Sequence, residues 1–189
     1  MQIGFDDILK QRDRAGLAIG MKTCPLSGVE VHRSFSNITE PFMEWLEKTP
    51  QVRRVIIVCR WGQRLGHILY RSGGAIPEDN SESPRLLKEG LLETCRRISA
   101  TGREVILTTP VPELKLYHPG KELRRRIMLG ADTSDLGDAI TYEDYLKDNE
   151  QILPMLEACE QAGYARVIQI HPLLLRNGGF KGLVDGTLF

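Results

Sequence analysis

Two apolar patterns alternate along the chain. Arg166 to Ile170 predicts a last strand, and Val55-Ile56-Ile57-Val58 and Val105-Ile106-Leu107 are short runs of consecutive strand-forming residues. Such runs are too continuous for a strand with one wet face and predict strands buried on both faces of a parallel sheet. Elsewhere apolar residues recur three or four positions apart, the period of a helix with one buried stripe. From Asn37, a candidate N-cap, Ile38, Phe42, Trp45 and Leu46 follow this spacing until Thr49-Pro50, with Pro41 tolerated in the first turn. Ser83-Pro84 opens the clearest helix, in which Leu87, Leu91, Leu92, Cys95 and Ile98 form the stripe and Gly102 supplies the stop. Lys121 to Leu129 predicts a basic helix. Thr141-Tyr142-Glu143-Asp144 resembles a capping box and predicts one long helix to about Gln161, with Tyr145, Ile152, Leu156 and Cys159 inward and a kink at Pro154.

The first thirty residues add a short amphipathic helix, Phe5 to Arg14, a short strand, Leu17 to Met21, and a loop dense in turn residues, Lys22 to Gly28. Gly62 to Ser83 and Gly130 to Ile140 read as loops. The first of these follows the carboxyl end of a strand, where a long connection is more often functional than idle. Alternating strands and helices are the signature of parallel crossover units, which predicts an α/β fold: a three-layer, flavodoxin-like parallel sheet with helices on both faces. Val55 to Val58 is expected to be its central strand. At 189 residues the chain is expected to form a single domain, 1–189. A helix precedes any strand and none follows the last one, so the fold is expected to lack its first strand.

Charge narrows the partners. Twenty-five Lys and Arg balance twenty-five Asp and Glu, which leaves no electrostatic argument for nucleic acid or an anionic membrane. Arg124 to Arg126 read as a solvated helix face. No apolar run approaches the ~20 residues of a membrane-spanning helix, and the start lacks the pattern of a signal peptide, so the chain itself reads as soluble. Cys24, Cys59, Cys95 and Cys159 are scattered, without Cys-x-x-Cys or histidines at metal-ligand spacing. They read as reduced thiols rather than a disulfide framework.

Phosphate-cradling glycine motifs, His-Glu-x-x-His and Gly-x-Ser-x-Gly are all missing from the sequence, so no nucleotide, metal or other cofactor is expected. The residues best placed for chemistry are Arg60 and Trp61, at the carboxyl end of a predicted strand, the edge where open α/β sheets bind ligands. The arginine offers a rigid fork of donors to an oxyanion, and the tryptophan a flat face to a sugar ring. The plainer reading is an arginine neutralised locally beside a core tryptophan. His171 follows the last strand, where a general base would reach the same crevice; its plainer reading is a histidine fixing the turn before Pro172. Asp185 has the type of a triad carboxylate but no histidine after it. His32, His67 and His118 read as surface residues. No serine stands out as activated.

Several segments together resemble the SGNH-type domain fused to the carboxyl end of membrane acyltransferases of family 3, the O-acetylases of bacterial surface polysaccharides. They are Thr23-Cys24-Pro25-Leu26, Val55-Ile56-Ile57-Val58-Cys59-Arg60-Trp61, Gly102-Arg103-Glu104-Val105-Ile106-Leu107, the exit Pro110-Val111-Pro112-Glu113, and Val167-Ile168-Gln169-Ile170. The set spans nearly the whole chain. The resemblance implies a Ser-His-Asp mechanism in which the serine comes from Gly-Asp-Ser and the other two from Asp-x-x-His. Neither motif is in this sequence, so an internal fragment, inactive alone, is expected.

The same resemblance places Arg60 and Trp61 at the strand end where many such enzymes carry a Gly-x-Asn segment of the oxyanion hole, making them an oxyanion or substrate pocket. Each donor there would be worth ~3 kcal/mol of barrier. Implied partners are an acyl donor, a carbohydrate acceptor such as lipopolysaccharide O-antigen, and an attached transmembrane acyltransferase domain. The implied place is the periplasmic or extracytoplasmic face of the inner membrane. It also implies a disulfide partner for Cys24 a short way downstream, and no cysteine lies between Cys24 and Cys59. The alternative is a non-catalytic carbohydrate-binding or scaffold domain of flavodoxin-like fold.

Overall fold

The computed structural model describes residues 26–32, 39–112, 119–131, 140–176, 179–180, 183–184 and 187–188. The helix expected over 5–14, the strand over 17–21 and Asp185 lie outside these residues. In chain order the elements begin with β1 (Val29–Val31), α1 (Thr39–Glu47), β2 (Arg54–Ile57), α2 (Trp61–Leu65), β3 (Leu69–Arg71), α3 (Ser83–Ala100) and β4 (Glu104–Thr108). They continue with α4 (Pro119–Leu129), β5 (Ile140–Thr141), α5 (Tyr142–Asp148), α6 (Ile152–Gln161), β6 (Arg166–Ile168) and α7 (His171–Leu174). Four two-residue strands follow: β7 (Leu175–Arg176), β8 (Gly179–Phe180), β9 (Leu183–Val184) and β10 (Thr187–Leu188).

The fold is α/β, organised on a parallel sheet of order β2-β4-β6. Ile57 pairs with Leu107, and Leu107 with Val167, so Val55, Ile57, Val105, Leu107 and Val167 share one face. That face meets Met43 and Leu46 of α1, Leu87, Leu91, Cys95 and Ile98 of α3, and Ile152, Met155, Leu156 and Cys159 of α6 in one hydrophobic core. The opposite face carries Ile56, Ile106 and Ile168, flanked by Glu104 between Arg54 (2.6 Å) and Arg166 (3.6 Å). These exposed ion pairs contribute at most about 1 kcal/mol each.

The central position belongs to β4, not to the Val55–Val58 run. Among the described residues β2 is paired on one side only, and Ile56 and Val58 are 48% and 67% exposed. A run of β-branched residues reports strand propensity, whereas two-sided burial needs neighbours on both flanks, and β4 has them.

Two other expectations change. The single helix over 141–161 is two: the Thr141 capping box holds, but Asn149 ends α5, its side chain donating to the Tyr145 carbonyl at 2.9 Å while its own carbonyl accepts from Ile152. Pro154 therefore lies in the first turn of α6, where a missing N–H costs nothing, and it makes no kink. The loop expected over 62–83 contains α2 and β3, and β3 pairs antiparallel with β1.

Polar contacts tie this ribbon and α1 to α3. Ser83 Oγ, at the start of α3, accepts from the Leu69 N–H (3.0 Å) and donates to the His67 carbonyl (2.8 Å). The Ser27 N–H donates to Thr94 Oγ1 at 2.8 Å, and Arg97 forks onto the Glu40 carboxylate at 2.5 and 2.8 Å. Ser27 and Ser83 are thus both engaged in structural hydrogen bonds.

At Gly90, α3 approaches the chain before it closely. A Cβ there would lie 3.0 Å from Val29 Cγ2 and 3.2 Å from Leu26 Cβ. Alanine would gain about 1 kcal/mol of helix propensity, but overpacking costs about 1–3 kcal/mol, and both neighbours are themselves buried. Gly90→Ala is therefore expected to lose about 1 kcal/mol net, read as a lower urea midpoint at unchanged m-value.

Candidate functional site

Parallel strands end together, so the segments after β2, β4 and β6 share one edge. After β2 the chain runs through the half-buried Cys59 and the exposed Arg60 into α2. Arg60 is exposed at this edge and forms no ion pair with a described residue. Trp61 is different. It is 1% exposed, packs in the main core, and donates its Nε1–H to the Thr108 carbonyl at 3.0 Å. Its ring is therefore turned inward, and the flat face expected for a sugar is covered by protein.

After β4, Thr109 continues the edge. Its N–H donates to the Ile168 carbonyl (3.0 Å), and its Oγ1 accepts from the Ile170 N–H (2.9 Å) and lies 3.4 Å from His171 Nδ1. The threonine fastens the segment after β6 to β4. His171 opens the short helix α7 and is 5% exposed. Its imidazole stacks beside Tyr145 and Tyr142, with ring centroids 4.8 and 5.8 Å away. Burial pulls its pKa below the ordinary histidine value, so the neutral ring is favoured. Burial also pushes the Tyr145 phenol up, and its hydroxyl donates to the Pro110 carbonyl at 3.1 Å.

A cleft of about 400 Å³ opens beside this cluster, with Thr109, Tyr142, Gln169 and His171 at the sheet edge and Glu157 and Leu153 on α6. Of the residues singled out from sequence, His171 borders it. Arg60 and Trp61 do not, because β4 stands between β2 and β6, which puts the two strand ends about 10 Å apart. The edge thus has two stations: an open arginine after β2, and a neutral histidine boxed by aromatics after β6. Thr109 and Tyr142 were not singled out from sequence. The available signals were a threonine directly after a buried strand and aromatics three apart behind a capping box. Among the described residues no cluster of His, Cys, Asp and Glu suits a metal ion, and no helix is long and apolar enough to cross a membrane.

A histidine whose folded-state pKa is depressed binds its proton more tightly when unfolded. The resulting stability is fully present above the unfolded value of 6.5 and is lost as pH falls from there through the depressed folded-state pKa. His171→Phe keeps an aromatic ring against the tyrosines and removes the titration. The wild-type urea midpoint is expected to drop more between pH 7.5 and 5.5 than that of the variant; parallel drops would assign the acid sensitivity elsewhere.

Comparison with known proteins adds the family. No curated protein and no solved structure gives a significant match to the chain. A family model described as "SGNH domain (fused to AT3 domains)" matches residues 1–189. That match covers every strand of the parallel sheet and both stations of its carboxyl edge, and the α/β architecture agrees with it. The chain belongs to the family of SGNH domains that are fused to AT3 acyltransferase domains.

Proposed function

We propose that the parent protein transfers, or hydrolyses, an O-acyl ester, typically O-acetyl, on a cell-envelope polysaccharide such as lipopolysaccharide O-antigen. The acceptor would be met at the periplasmic or extracytoplasmic face of the inner membrane. The observation that carries this reading is the family match across the whole chain. The exposed Arg60 at the carboxyl edge supports it.

In a Ser-His-Asp acyl transfer, histidine removes the serine proton as its oxygen attacks the acyl carbonyl. Negative charge then gathers on the carbonyl oxygen, and fixed donors aimed at that oxygen lower the barrier. The serine, histidine and aspartate would come from Gly-Asp-Ser and Asp-x-x-His motifs beyond these 189 residues, since the sequence contains neither. In this reading Arg60 contributes donors to the oxyanion or holds the acceptor. Trp61 acts one step back: its indole, hydrogen-bonded to Thr108, fixes the turn that presents Arg60.

The 189-residue chain is expected to show no turnover of p-nitrophenyl acetate that a serine-directed inhibitor abolishes; inhibitor-sensitive hydrolysis would place the nucleophile within it. In the parent protein, Arg60→Ala is expected to lower kcat for acetyl transfer about 10²- to 10³-fold, with Arg60→Lys recovering only part of the loss. Wild-type kcat and KM in Arg60→Ala would remove Arg60 from the site. Polysaccharide binding by a parent protein that catalyses no transfer would favour a carbohydrate-binding role.

A further inference from the structure

The cleft beside His171 has a lining that the acyl-transfer reading leaves unused. Two helices meet there, each presenting residues four apart and so on one face: Tyr142 and Leu146 from α5, Leu153 and Glu157 from α6. Tyr142 is backed by the rings of His171, Tyr145 and Phe180, with centroids 5.8, 6.4 and 6.5 Å away, and is still 37% exposed. Leu146 beside it is 38% exposed. Gln169, just after β6, borders the cleft from the sheet edge. Glu160 ties α6 to that edge, its Oε1 accepting from the Val167 N–H at 2.8 Å. The Tyr142 hydroxyl, the Glu157 carboxylate and the Gln169 side-chain amide form no hydrogen bond or ion pair with a described residue. The lining holds two carboxylates and no lysine or arginine.

We propose that this cleft binds a neutral hexopyranose unit, whose C–H face lies on the Tyr142 ring while its hydroxyls reach Glu157 and Gln169. A pyranose has an apolar face and a rim of hydroxyls that both donate and accept. An aromatic ring matches the face, and a ring already packed on its inner side loses little freedom on binding. A carboxylate accepts from neighbouring hydroxyls, and a glutamine amide both accepts and donates. The volume of about 400 Å³ is at the small end of ligand clefts and suits a short stretch of saccharide. A purely apolar ligand would cover three polar side chains without giving them partners. A uronate ring would bring its own carboxylate toward Glu157 and Glu160 with no cation in the lining to offset it, so the cleft selects uncharged sugars. The aromatic surface that Trp61 keeps in the core is thus supplied by Tyr142, at the other station of the edge. That the sugar held here is the acyl acceptor rests on the acyl-transfer reading; the binding itself does not.

The test is an NMR titration of the isotope-labelled 189-residue chain with the methyl glycosides of glucose, galactose and mannose, and with those of glucuronate and galacturonate. Shifts are expected at the Gln169 side-chain amide and at the backbone amides of Tyr142 and Glu157, with a Kd of about 1–10 mM for at least one neutral glycoside. The uronates are expected to bind at least about tenfold more weakly. Tyr142→Ala is expected to weaken binding about tenfold or more and Tyr142→Phe less than about threefold, while Glu157→Gln narrows the gap between neutral sugar and uronate. No shift at the cleft with any neutral glycoside up to about 50 mM, equal affinity for the uronates, or unchanged binding in Tyr142→Ala would overturn the proposal. Should Tyr142→Ala fail to fold, the selectivity of the wild type and of Glu157→Gln, an exposed helix position, still decides. In the parent protein, Tyr142→Ala is expected to raise KM for polysaccharide about tenfold with kcat little changed. An unchanged KM in an active parent would overturn the acceptor assignment, whereas sugar binding in a parent that transfers nothing would overturn the acyl-transfer reading and leave the cleft's ligand as stated.

Discussion

A buried indole must find an acceptor for its N–H, and in this domain that requirement organises the sheet edge. Leaving such a donor unsatisfied costs about 1–3 kcal/mol. Trp61 meets the need at the carbonyl of Thr108, the last residue of β4. The ring is thereby committed to the core and tied to the end of the neighbouring strand. Arg60, one residue earlier, is left pointing into solvent. The exposure of the arginine and the burial of the tryptophan are one event seen from two sides.

The other flank of the edge hangs from the very next residue. Thr109 uses its backbone N–H toward Ile168 and its side-chain oxygen toward Ile170, and its hydroxyl faces His171. Two consecutive threonines at the end of the central strand therefore hold both outer strand ends in place, one through a carbonyl and one through an amide and a hydroxyl. Catalytic and binding groups need support of this kind, since loops alone seldom fix a donor within the tolerance that chemistry asks. His171, packed against Tyr145 and Tyr142 in the wall of the cleft and facing the Thr109 hydroxyl, is held in the same way.

The parts of the fold legible in sequence are those where local pattern and burial agree. The stripe of α3 is buried at Leu87, Leu91, Cys95 and Ile98, Val105 to Leu107 lie inside, and α4 spans the basic stretch expected of it. What was not legible depended on neighbours. Val55 to Val58 could not reveal which side of the sheet lacked a partner. Residues 141–161 carry helical spacing throughout, and only the side chain of Asn149 returning to Tyr145 breaks them in two. The ribbon of β1 and β3 is three residues wide and joins segments about forty positions apart, too little local signal for any periodicity. At the site, position along the strand placed Arg60 and Trp61 at the carboxyl edge, but residue type could not say that one faces water and the other the core.

Arg103 shows how far such dependence reaches. Its guanidinium donates to the carbonyls of Leu46, Thr49 and Val52, closing the carboxyl end of α1 and the turn that leads into β2. Helix ends are usually satisfied by residues next to them, so that a helix can form and fray by itself. Here the closing group arrives from the far side of α3, one residue before β4. The end of α1 therefore does not rest on local contacts alone: opening of β4 withdraws the Arg103 donors from the Leu46 carbonyl of α1 and from the Thr49 and Val52 carbonyls of the turn after it. The first described helix and the central strand are thereby coupled, although more than fifty residues of chain separate them.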